Sequence, residues 1–335
     1  MDLFCAKYVD KIGYRRSVVA SEILSAVGLI GLAFLPDLLN HAYVGILISV
    51  IIYAMGSGLI EVLVSPIVEA CPFDNKESVM SLLHSFYCWG AVAVILFSTA
   101  FFTIFGINNW RILACIWALI PICNVFNFLT CPIESLTEDG QGLSIRQLCN
   151  IPIFWVALVL MVCAGASEIS MAQWASAYTE SALGLSKSIG DIAGPSLFAV
   201  TMGISRSFYG KYGEKIDLMK FMTASGILCL ICYLLAALGP YPILGLIGCI
   251  MCGFSVGIMW PGTISIASSK IPMGGTAMFA LLAMAGDMGG SIGPCVVGFV
   301  TQNAGDNLKA GMLAGCIFPV ILVLSVCLLK YKKSK

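Results

Sequence analysis

Long apolar stretches alternate with short polar turns along most of the chain. A helix needs about 20 apolar residues to cross a bilayer. Ten runs approach or exceed that length: Ser17–Leu35, Tyr43–Ala70, Met80–Phe105, Trp110–Thr130, Pro152–Tyr178, Ile189–Phe208, Met219–Leu238, Ile243–Ser269, Thr276–Thr301 and Leu308–Lys330. Most connections are short and carry turn residues, such as Pro36-Asp37, Gly239-Pro240 and Gly305-Asp306. One connection, Cys131–Ile151, is longer and polar, and it separates four runs from six. The pattern predicts an all-α integral membrane protein of about ten transmembrane helices. Its parts are a four-helix region over 1–130, a cytoplasmic linker over 131–151 and a six-helix region over 152–335.

The polar residues inside these runs are the candidate chemistry. Glu61 lies near the centre of Tyr53–Pro72, YAMGSGLIEVLVSPIVEACP. An ionised acid at the bilayer centre costs about 3 kcal/mol or more, so such a group is paired, protonated or functional. Ser57 and Ser65 stand four residues to either side, on roughly the same helical face. Gly56 and Gly58 admit a close neighbour, and Pro66 frees a backbone carbonyl. A polar stripe with small residues and a proline is what lines a pathway; an acid locked to a basic partner for assembly is the alternative.

Glu168, in GASEISMAQWASAY, and Asp287, in AMAGDMGGSIGPCVVG, lie inside later runs. Asp287 fits either a pathway acid or the cap of a half-helix broken at Pro294. Gly286-x-x-x-Gly290 and Gly289-x-x-x-Gly293 predict close helix packing there. Gln173 and Trp174 suit a sugar, whose C–H faces stack on an aromatic ring while amides take its hydroxyls. Trp174 and Tyr178 equally fit an interfacial aromatic belt. His84 fits a proton relay or a packed histidine. Asn124 and Asn127, three residues apart, reach either a solute or a neighbouring helix. Trp260-Pro261 marks a kink that bends or merely packs. Asp191 fits a helix cap, and Glu69 a gate or structural ion pair.

Composition agrees with the spans. The chain is 59% hydrophobic and 11% charged, against about 25% charged in soluble domains, and its mean hydropathy is +0.96. Zero net charge gives no electrostatic case for nucleic acid. Cys229-x-x-Cys232 and Cys249-x-x-Cys252 lie in apolar runs without a histidine, and read as small reduced thiols. HExxH, GxSxG and Walker patterns are missing, so neither an enzyme nor a cofactor or metal is expected.

Basic residues orient the chain. Of the 18 Lys and Arg residues, only Arg111, Lys187 and Lys309 fall on one side of the predicted spans. The other fifteen fall on the side of the opening segment. The positive-inside rule places that side, with both termini, in the cytoplasm.

A weak repeat relates the two regions. A basic, glycine-containing turn around Asp10 to Arg16 recurs from Arg206 through Lys211 to Lys215. Gly56-x-Gly58 before Pro66 is matched six helices later by Gly253-x-x-x-Gly257 before Pro261. A parallel six-helix repeat is one arrangement of secondary transporters.

Ala6-Lys7-Tyr8-Val9-Asp10-Lys11-Ile12-Gly13-Tyr14-Arg15-Arg16 resembles the signature G-x-x-x-D-[RK]-x-G-x-[RK]-[RK] of the major facilitator superfamily, with Ala6 replacing the first glycine. Gly-Leu-Ile-Glu61, Ser65-Pro66 and Leu82-Leu83-His84-Ser85-Phe86 to Gly90 resemble the fourth and fifth helices of its fucose:proton symporter family. The resemblance implies a twelve-helix fold of two six-helix halves, here without counterparts of the first helix and nearly all of the second. It implies proton-coupled uptake of a sugar or similar small polar solute by alternating access. Glu61 then binds sugar and couples protons, with Glu168, Asp287 and His84 as further coupling or substrate groups. Ser57, Ser65, Gln173, Trp174, Asn124, Asn127 and Trp260 would line the path. Asp10, Gly13, Arg15 and Arg16, with Arg206 and Lys211 of the repeated turn, would gate the cytoplasmic side. The implied partners are a solute, protons and the lipid bilayer of the cell membrane, with the protein a monomer. Two alternatives stand beside this: an exporter of drugs or metabolites, and a truncated membrane protein that does not transport.

Overall fold

The computed structural model describes residues 1–134, 136, 142–183 and 192–331. Among them every regular element is helical. A short helix, α1 (Asp2–Ile12), buries only Cys5 and Val9. Gly13 joins it to α2 (Tyr14–Leu38) at φ 92° and ψ 143°. Side chains rarely adopt that conformation, so the turn requires glycine. Then follow α3 (Ala42–Ala70), α4 (Lys76–Phe105), α5 (Trp110–Thr130), α6 (Ile145–Cys149) and α7 (Pro152–Leu183). After a π-type turn at Ile192–Ser196 come α8 (Leu197–Tyr212), α9 (Leu218–Leu238), α10 (Pro242–Val256), α11 (Met259–Lys270), α12 (Gly275–Asn303), α13 (Leu308–Gly315) and α14 (Ile317–Tyr331).

Nine spans among the described residues are long and apolar enough to cross a membrane. They are α2, α3, α4, α5, α7, α9, the α10–α11 pair, α12 and the α13–α14 pair. The tenth predicted run, Ile189–Phe208, begins outside the described residues. Its described part is the π-type turn and most of α8. Asp191 and the side chain of Tyr178 also lie outside the described residues.

The helices pack into two units. The first comprises Met1–Pro72, Leu96–Ile145 and Met273–Leu281. Here α2 packs on α3 and α5. A Cβ at Gly28, Gly45 or Gly56 would collide with Tyr53, with Leu35–Pro36, or with Ser21 and Ser25. The α2 and α3 backbones therefore touch, as small residues permit inside a bilayer.

The second unit comprises Phe73–Ile95, Arg146–Pro272 and Leu282–Lys335. In it α10 packs against α8, α9 and α7, and α14 against α7 and α9. Its core includes Met171, Met202, Tyr209, Met222, Tyr233 and Leu322. The expected close packing at the α12 glycines is present. Cβ atoms at Gly289 and Gly293 would strike the Val162 and Ala166 carbonyls of α7, and one at Gly165 the Gly286 carbonyl.

The half-helix break at Pro294, one of the two readings of Asp287, is not there. α3 runs unbroken through Pro66 and α12 through Pro294. Asp287 therefore caps no half-helix. The break in the Pro242–Lys270 span falls at Gly257–Ile258, just before Trp260-Pro261.

Candidate solute and ion site

The basic signature segment forms a set of helix-end contacts in the first unit. The Thr276 hydroxyl donates to Asp10 Oδ1 at 2.6 Å, and Tyr14 OH shares a short hydrogen bond with the same hydroxyl. Thr276 lies in the first turn of α12, where an acid complements the helix dipole. Arg15 Nη1 donates to the carbonyls of Phe128 and Leu129, at 2.7 and 2.9 Å. Those are carbonyls of the last turn of α5, left open by the helix end and suited to a cation. Asp10, Gly13 and Arg15 are thus brought together with the ends of α5 and α12. Arg16 and Lys211 are exposed.

Arg206 belongs elsewhere. The sequence pattern puts it at the start of a cytoplasmic loop, but α8 continues to Tyr212 and the turn falls at Gly213–Lys215. Arg206 is buried at 2% exposure and Glu168 at 6%. Its Nη2 donates to Glu168 Oε2 at 3.1 Å. Nη1 donates to the His84 carbonyl and Nε to the Gly257 carbonyl, both at 2.9 Å. The Tyr87 ring lies 5.9 Å from the guanidinium carbon. One side chain thus joins α4, α7 and the broken α10–α11 span to α8. A buried charge requires such a partner set.

The remaining candidates are spread through both units. Glu61 is exposed on α3, with Ser57 half-buried and Ser65 buried. Asp287 is exposed on α12. Asn124 serves a neighbouring helix: its Nδ2 donates to Glu22 Oε1 of α2 at 3.4 Å. Asn127 is exposed. Gln173 is exposed, and Trp174 is half-buried with its Nε1 buried and unpaired among the described residues. The Trp260 ring packs where a Cβ at Gly286 would otherwise sit. His84 is half-buried and enters the cluster through its backbone carbonyl. Among the described residues no group of three or more His, Cys, Asp or Glu is placed to hold a metal.

Sequence reasoning missed Glu22, buried at 8% exposure in α2. The rule that singled out Glu61, an acid inside an apolar run, applies equally to it.

Apolar spans packed through backbone-close glycine contacts define a multi-pass helical membrane protein. The sequence profile of the Major Facilitator Superfamily matches residues 1–294, and the chain belongs to that family. No curated protein sequence matches it. Its fold is similar to that of the E. coli fucose:proton symporter FucP, solved in an outward conformation: TM-score 0.82 at 16% identity, over 98% of this chain and 86% of FucP. The proton:xylose symporter XylE, bound to 6-bromo-6-deoxy-D-glucose, gives TM-score 0.82 at 13% identity, over 98% and 82% of the two chains. The human organic anion transporter MFSD10 gives 0.71 at 15% identity, over 97% and 80%.

Proposed function

We propose that this protein is a proton-coupled secondary transporter that takes up a sugar or similar small polar solute by alternating access. The observation that carries this reading is Glu61, a carboxyl near the middle of an apolar span yet exposed on α3. An acid that the protein leaves unburied at that depth is suited to take up a proton or a solute wherever the transport path reaches it. The sugar:proton symporter neighbours support sugar and proton as the ligands. Ser57, on the same face of α3, offers a hydroxyl partner. The halves of the cycle are 1–130 and 152–335, joined by 131–151. In this reading the protein works as a monomer in the cell membrane, and the basic asymmetry supports both termini in the cytoplasm.

In this cycle Glu61 takes a proton on one side, the loaded carrier reorients, and loss of the proton on the other side releases both. The test is uptake by reconstituted protein over a panel of sugars, with and without a pH gradient. Glu61→Gln mimics the protonated acid. It should abolish gradient-driven accumulation while solute exchange survives. Normal accumulation by Glu61→Gln rejects the coupling role, and no gradient-dependent uptake of any sugar by the native protein rejects the whole reading.

A further inference from the structure

The α10–α11 span is interrupted in the middle of an apolar run. α10 ends at Val256, α11 begins at Met259, and helical bonding resumes with the Gly262 N–H to the Ile258 carbonyl at 2.8 Å. A helix end inside a bilayer leaves carbonyls that water cannot satisfy. One of them, Gly257 O, is taken by Arg206 Nε at 2.9 Å. The same guanidinium reaches α4 and α7, and the Arg206 carbonyl accepts from Ser81 Oγ of α4 at 2.8 Å. A guanidinium offers five donors in one rigid plane, so its three contacts tie two backbone carbonyls and the Glu168 side chain to one another. Three residues past the break, Trp260 fills the space above Gly286 of α12.

We propose that Arg206 is a positioning residue that holds the break at Gly257 in one bend, and that neutralising Glu168 releases this clamp. The inference deepens the proton-coupled reading by giving Glu168 a different task from Glu61. Arg206 remains charged whatever its surroundings. With Glu168 ionised, its charge is balanced in place. With Glu168 protonated, its described partners are neutral, two carbonyls, the Tyr87 ring and the Cys88 thiol, and a buried guanidinium without a counter-ion is strongly disfavoured. It then moves toward water and gives up Gly257 O, and α11 is free to swing with Trp260.

The titratable groups around the pair are few. α4 presents His84, Tyr87 and Cys88. α9 presents Tyr233, whose hydroxyl donates to the Ser167 carbonyl next to Glu168 at 2.8 Å. α10 and α11 present the Gly257 carbonyl and Trp260, and on α12 the nearest acid is Asp287, beside Gly286. The guanidinium's own carboxylate partner is Glu168.

The experiment follows Trp260 in the full chain, purified without solute and labelled with 5-fluorotryptophan, its ¹⁹F line assigned by Trp260→Phe. The native line should move between two positions as pH falls from 8 to 5. Glu168→Gln should hold it at the acid position at every pH. If that variant does not fold, the paired variant Glu168→Met with Arg206→Met decides, because apolar replacement of both charges preserves such sites. It should show the released position with no pH dependence. A Trp260 line at the native neutral-pH position in the folded variant overturns the inference. Solute transport plays no part in this readout. Failure of sugar uptake therefore leaves the clamp standing, and a static Trp260 in an active sugar transporter refutes the clamp alone.

Discussion

The two packed units pair their charges differently. In the first, Glu22 is buried in α2, but Asp10, Arg15, Asp37 and Arg111 sit at helix ends near the surface. Arg15 caps α5, Asp10 meets the start of α12, and Arg111 pairs with Asp37 where their side chains are 43% and 60% exposed. Its mid-span acid Glu61 is exposed. In the second, a full ion pair is buried among four spans. Ions at a helix rim keep their water and contribute little each. A buried pair is held by every group that touches it. An exposed acid is therefore suited to exchange protons and ligands, and a buried paired one to hold backbone in place.

That contrast is open to measurement by thermal unfolding in detergent. The largest effect is expected from Arg206→Ala, which strands a buried carboxylate and unties three helices. It should cost about 3–5 kcal/mol, and a loss near that of a rim residue would erase the distinction. Arg15→Ala, which uncaps one half-buried helix end, should cost about 1 kcal/mol. Glu61→Gln should change stability by no more than about 0.5 kcal/mol while removing gradient-driven uptake. A large unfolding shift in this variant would make Glu61 an assembly residue. Arg111→Ala should be smallest, within about 0.5 kcal/mol and weaker still in high salt.

The spans were legible because the bilayer imposes a minimum apolar length, and α5 begins at Trp110 and α9 ends at Leu238 as the pattern predicts. The family signature singled out Asp10 and Arg15 as a gate, but their helix-end contacts were not legible in the sequence. Thr276 stands 266 residues from Asp10, and no local pattern links them. Arg206 was misplaced for a physical reason. A basic residue followed by Gly210 and Gly213 looks like a loop, and its buried counter-ion lies 38 residues away on another helix. Prolines differed among themselves. Pro66 and Pro294 are absorbed within continuous helices, whereas the kink expected at Trp260-Pro261 is present: Pro261 has no N–H for the Gly257 carbonyl four residues back, and Arg206 from a neighbouring helix takes that carbonyl.

The glycine contact between α7 and α12 has a mechanical consequence. Helices normally interlock through ridges and grooves of side chains, and sliding one past the other forces rotamers to change. At Gly165 and Gly289 there are no such teeth, and backbone rests on backbone. The seam acts as a smooth bearing, stiff against separation and compliant along its length. A single methyl group, as in Gly289→Ala, would put a pawl in that bearing.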